Sequence, residues 1–154
     1  MTGLLHTLEA EAEAVSRFVE LLRLEQIALE NGATDQLVDF AQKKSSVSSE
    51  LTALAEQRHL TLAGLGVKAD RAGIEAWLER QPSDTSLRSA WSRVIALAGE
   101  ARELNRVNGE LIQIRLQHNA QALAAMQGAS RTLHLYGPDG HTEQLISRRI
   151  NDAV

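Results

Sequence analysis

Two heptad-spaced stretches, separated by a single Asn-Gly step, constrain this chain more than any other feature. In the first, Leu5, Leu8, Ala12, Val15, Val19, Leu22, Gln26 and Leu29 recur at alternating steps of three and four. In the second, Leu37, Phe40, Lys44, Val47, Leu51, Leu54, Arg58 and Thr61 keep the same spacing. Such a period gathers side chains into one stripe along a helix and requires a partner helix to cover it. Helices are therefore expected over about 3–31 and 35–63. Asn31-Gly32 is a stop signal, because glycine enters the left-handed conformation without a Cβ clash. A loop this short returns the second helix antiparallel to the first. Thr34 is placed to cap the second helix, with Asp35 in its first turn. Glu9, Glu11 and Glu13 sit early in the first helix, where the helix dipole favours negative charge. Lys44 and Arg58 interrupt the second seam. Their stems are expected to lie along apolar neighbours while the charges reach water. Ser45, Ser46, Ser48 and Ser49 read as the polar outer face of that helix.

The rest of the chain extends the same plan. Gly64-Leu65-Gly66 ends the second helix. A short connector helix over 71–80 would turn Ile74, Trp77 and Leu78 inward and stop at Gln81-Pro82, since the residue before proline disfavours helix. Ser83 or Asp84 starts a third long helix that is expected to reach about Gly128, roughly 65 Å if unbroken. It carries one stripe of Leu87, Trp91, Val94 and Ala98 and a second of Leu97, Ala101, Leu104, Leu111 and Ile114. Gly99 and Gly109 weaken it locally. Leu135-Tyr136-Gly137-Pro138-Asp139-Gly140 follows an alternating extended segment and contains a turn. The expected fold is all-α. Three long helices form an antiparallel bundle with a short connector helix and a short C-terminal tail. Residues 1–130 make the bundle, and 131–154 the tail of the same single domain. With aromatics at only 3%, the core must be built from Leu, Ala, Val and Ile.

Several functions are disfavoured. A net charge of −4 without a basic stripe is unsuited to phosphate neutralisation, so nucleic acid is not expected as a partner. The absence of cysteine excludes disulfides and thiol catalysis. The acidic start lacks the positive region of a signal peptide, and no segment has the ~20 apolar residues of a membrane span. His134, Asp139, His141 and Glu143 cluster in sequence but match no short metal-binding motif, and they read as a solvated turn. No carboxylate or imidazole is marked as lying in a pocket that would shift its pKa. An enzyme is not expected, nor a cofactor or metal.

The stretch from Leu104 to Met126 is different in kind. Asn105, Asn108 and Ile112 share one face of the helix. Asparagine is unfavourable within a helix, so these two amides either pin the register of a buried seam or contact a partner. From Ile112 to Ser130 the only charged residue is Arg115. Gln113, Gln117, Gln121 and Gln127 stand where a solvated helix would usually carry Glu or Lys. An uncharged amphipathic stretch of this kind suits docking of another polypeptide, and Met and Gln suit adaptable contacts.

These residues also carry a family resemblance. Asn105, Asn108, Gly109, Leu111 and Ile112, followed by Leu135, Tyr136, Gly137, Asp139 and Gly140, resemble the motifs of the FlgN family. Its members are bacterial export chaperones for the flagellar hook–filament junction proteins. The resemblance implies a cytoplasmic chaperone that binds the C-terminal amphipathic helix of those proteins, prevents premature assembly and delivers them to the type III export gate. It implies that the partner is held by the C-terminal part of the chain, here Ile112, Leu116, Leu123, Met126, Leu133, Leu135 and Tyr136. A different reading is a self-associating coiled-coil protein, in which the apolar stripe of the third helix closes a homodimer.

Overall fold

The computed structural model describes residues 2–115 together with Ala124, Gln127 and Gly128. Its helices are α1 (Thr2–Glu30), α2 (Leu37–Gly64), α3 (Arg71–Glu79) and α4 (Thr85–Arg115). Ala124, Gln127 and Gly128 are also helical. The bundle is all-α, as expected, and its helix directions follow from the cross-helix contacts. Glu11 meets Arg58, Arg17 meets Glu50 and Glu25 meets Lys44, so α2 runs antiparallel to α1. Glu13 meets Arg93, Arg23 meets Glu100 and Leu22 meets Asn108, so α4 runs parallel to α1. The order is up, down, up, and α1 packs against both other long helices.

The turns are built from local chemistry. After α1, Gly32 has φ 73°, and Ala33 N–H and Gly32 N–H bond back to the carbonyls of Ala28 and Leu29 at 2.8 and 3.3 Å. After α2, Gly66 has φ 72°, and Val67 and Gly66 bond the carbonyls of Leu62 and Ala63 at 2.9 and 3.0 Å. Both are the paired bonds of a Schellman cap, and buried Val67 and Leu62 supply the apolar contact that accompanies one. Asp70 caps α3 by accepting from Gly73 N–H at 2.7 Å. Asp84, one of the two predicted starts, accepts from Leu87 N–H at 3.2 Å and opens α4. Thr34 does not cap α2 as expected. The chain first makes a 3-10 turn, Thr34–Gln36, and α2 begins after Gln36 without a side-chain cap.

The main core joins Leu8, Val15, Phe18 and Leu22 of α1 to Leu51, Ala55 and Leu62 of α2, and to Leu87, Trp91, Val94, Ala98 and Ala101 of α4. Ile74, Trp77 and Leu78 of α3 enter it, as the connector pattern predicts. A separate small cluster holds Leu29, Leu37 and Ile112, with Leu111 packed against it. Each large apolar side chain that is fully buried contributes about 1.5–3 kcal/mol, so most of the apolar stabilisation lies in the first cluster.

Three expectations need correction. Lys44 and Arg58 do not reach water; both are buried, at 0% and 2% exposure. Ser48 turns inward, unlike exposed Ser45, Ser46 and Ser49. The two stripes expected on the third helix are unequal, the first being the more deeply buried. Leu87, Trp91, Val94, Ala98, Ala101, Asn105, Asn108 and Ile112 form the buried seam, while Ile114 is 73% exposed. Of the second stripe, Ala101 is buried and Leu97, Leu104 and Leu111 are half-buried against the core clusters, so only its end at Ile114 is lost.

Candidate partner-binding region and the polar layers beneath it

Of the region singled out from sequence, the structure describes the part within α4, up to Arg115. Asn105, Asn108 and Ile112 lie on one buried stripe. The Asn108 Nδ2 amide donates to the Leu22 carbonyl at 2.8 Å and to Glu25 Oε1 at 3.0 Å. Lys44 Nζ donates to Glu25 Oε1 at 3.0 Å and lies 2.9 Å from Oε2. One carboxylate from α1 thus joins an ammonium from α2 and an amide from α4. The burial of all three makes the bonds obligatory, since an unpaired polar group there would cost about 1–3 kcal/mol or more. Burial pushes the Lys44 pKa below its ordinary value, and the charge and hydrogen bond of Glu25 offset only part of that shift.

A second buried layer lies two heptads away along both α1 and α2. Arg58 Nη1 donates to Glu11 Oε2 at 2.6 Å, and the guanidinium sits 5.3 Å from the centre of the Trp91 ring. A planar delocalised cation over an indole face is a favourable contact in a dry site. The heptad pattern of the first helix includes neither carboxylate. A signal was present. Glu11 and Glu25 are separated by the same interval as Lys44 and Arg58, and an antiparallel hairpin brings equal intervals into register.

Ile112 was expected in the partner surface. Here it is 2% exposed and packs with Leu29 and Leu37. Its apolar surface is covered within the chain. Gly109 is half-buried and Gln113 exposed. The Arg115 guanidinium reaches the Glu30 carbonyl at 3.4 Å and borders Gly32, tying the end of α4 to the α1–α2 turn. Leu116, Leu123, Met126, Leu133, Leu135, Tyr136, Gly137, Asp139 and Gly140 lie outside the described residues, as do His134, His141 and Glu143. Among the described residues no group of His, Cys, Asp or Glu is arranged to hold a metal ion. No described helix is long and apolar enough to cross a membrane.

An apolar groove that sequence reading did not foresee runs between α1 and α2. One part, of ≈480 Å³, is floored by Leu21, Leu24 and Val47, and another, of ≈410 Å³, by Ile27, Ala28 and Phe40. Leu24 and Lys43 border both parts. Leu24 and Ile27 are each 53% exposed.

Comparison with known proteins accounts for nearly the whole length. The profile of the FlgN protein family matches residues 1–144. The chain is 33% identical over 154 residues to the flagella synthesis protein FlgN of Yersinia enterocolitica, covering 95% of this chain and 90% of that one. It is 26% identical over 153 residues to the protein of the same name from Proteus mirabilis, covering 95% and 94%. The corresponding Salmonella typhimurium protein is 27% identical over 110 residues, covering 69% and 77%. No solved structure gives a significant match. A family profile spanning almost every residue, with a relative 33% identical over 90% of its own length, establishes that the chain belongs to the FlgN family.

Proposed function

We propose that this protein is a cytoplasmic export chaperone for the flagellar hook–filament junction proteins. It holds their C-terminal amphipathic helix through residues 116–136 and delivers them to the type III export gate. The observation that carries this reading is the family match over 1–144, together with relatives named as flagella synthesis proteins. Two features support the location. The 112–130 stretch carries Arg115 as its only charge, a composition suited to apolar docking. Directly before it, Asn108, Ile112 and Arg115 tie α4 to α1. The 116–136 segment follows in sequence on these contacts, and in the closed bundle Ile112 is covered by Leu29 and Leu37.

The mechanism is helix-in-groove recognition. Leu116, Leu123 and Met126 supply apolar anchors, and Tyr136 an aromatic for the client or the gate. A client helix that is disordered alone loses chain entropy on docking, so affinity per unit area is modest. Modest affinity permits release at the gate without a nucleotide-driven step. The test is a pull-down of a junction protein by a Leu123→Asp/Met126→Asp variant whose helical circular dichroism matches wild type. Binding is expected to be lost. Retained binding at wild-type strength would remove the client from this segment, and light scattering would then decide whether the same stripe closes a homodimer.

A further inference from the structure

We infer that the Glu25–Lys44–Asn108 layer is a seam at which the α1–α2 turn end of the bundle opens as a unit of its own while the main core stays folded. The apolar interior is discontinuous at this level. On one side lie Leu22, Leu51 and Ala101 of the main core, and on the other lie Leu29, Leu37 and Ile112 as a separate cluster. What stands between them is charged and amide-bearing. Parting an apolar layer exposes only hydrocarbon to water. Parting this one returns a carboxylate and an ammonium to the hydration they lost on folding, so opening here is cheaper than at a comparable apolar level.

The layer also makes the opening cooperative. Lys44 and Asn108 both bond the carboxylate of Glu25. When α1 withdraws that group, its contacts to α2 and α4 are lost in one step. The surface ion pairs Arg17–Glu50, Arg23–Glu100 and Arg93–Glu13 all join the helices on the main-core side of the seam. They hold that side together while the other end separates. The opened end would present Leu29, Leu37 and Ile112 beside Ile27 and Ile114, which are already exposed. That wider apolar face includes the last turns of α4, which lead in sequence to residue 116. Its use by a client rests on the proposed function, whereas the seam rests on the packing alone.

Native-state hydrogen exchange on the full chain, without any client, tests the seam directly. Amides of 26–30 and 109–112 are expected to exchange through a shared opening about tenfold or more faster than those of 15–22, 51–62 and 91–101. A Glu25→Leu/Lys44→Leu/Asn108→Leu variant is expected to slow exchange at the turn end to the rate of the main core. One common exchange rate at both ends of the wild-type bundle would overturn the proposal. So would turn-end rates unchanged by the triple substitution. Should that variant not fold, the Glu25→Leu/Lys44→Leu pair decides on the same readout, and the wild-type profile stands by itself. Failure of client binding in the pull-down leaves this exchange result unaffected.

Discussion

The two buried ion pairs of this bundle look alike on paper and differ in what surrounds them. Glu11–Arg58 lies within the main core, with the guanidinium over Trp91. Glu25–Lys44 lies at the edge of that core, with an amide of α4 as third member. Arginine keeps its charge under any condition a protein meets, so its layer must be electrically complete. Lysine is a compact charge that can give up its proton when desolvated, and the Lys44 pKa is already lowered by burial. The comparison teaches that a buried charge can serve as a fixed strut or as a yielding one, depending on which cation is used and on how much core encloses it.

The largest expected effect tests the strut. Glu11→Ala removes the carboxylate paired with buried Arg58 and is expected to cost about 3–5 kcal/mol in urea unfolding, the range for breaking a buried pair. Glu25→Ala is expected to cost less, about 1–3 kcal/mol, because Lys44 can respond by losing its proton. Equal losses at the two sites would erase the distinction. Next, replacing both members of a pair separates desolvation from attraction. Glu25→Leu/Lys44→Leu is expected to leave stability unchanged or raise it by about 1–4 kcal/mol. Glu11→Leu/Arg58→Leu, which also removes the contact with Trp91, is expected to fall short of that gain. A clear loss at the lysine layer would show that it is as indispensable as the arginine layer. The smallest effect is a pH dependence. In the window just below the ordinary lysine value of 10.5, the unfolded chain holds a proton on Lys44 that the folded chain has already released. Stability attributable to Lys44 should therefore climb as pH rises through that window and level off above it. Thermal melts of wild type and Lys44→Met between pH 8 and 11 measure this. A flat difference between them would place Lys44 with the fixed struts.

Much of the bundle was legible before any coordinates. The seam residues from Leu8 to Leu29, the stops at Gly32 and Gly66, the inward face of α3 and the start at Asp84 are all where local periodicity and turn chemistry put them. These features depend on residues near one another in sequence. The buried carboxylates were legible only through their interval, which matches that of Lys44 and Arg58, because a single heptad seam gives α1 one covered face. In fact α1 is flanked by α2 and α4, and its buried arc widens to include Glu11, Ala14, Phe18 and Glu25, which a single heptad seam leaves out. For the same reason Lys44 and Arg58 were read as reaching water. A basic side chain on a seam turns inward only when a distant carboxylate meets it, and one helix alone does not reveal that. Asn105 and Asn108 were legible as a pair with two possible roles, and their burial places both on the inside of the bundle.

The parallel course of α1 and α4 has a practical consequence. The Arg115 end of α4 meets the turn after Glu30, so the chain enters at one pole of the rod and leaves towards its C-terminal segment at the other. With 29 residues in α1, those poles stand ~43 Å apart. A dye or affinity handle fused ahead of Thr2 sits a whole rod's length from Arg115, whereas one joined after Val154 lies on the same side in sequence as the stretch assigned to the client, with residues 137–154 between.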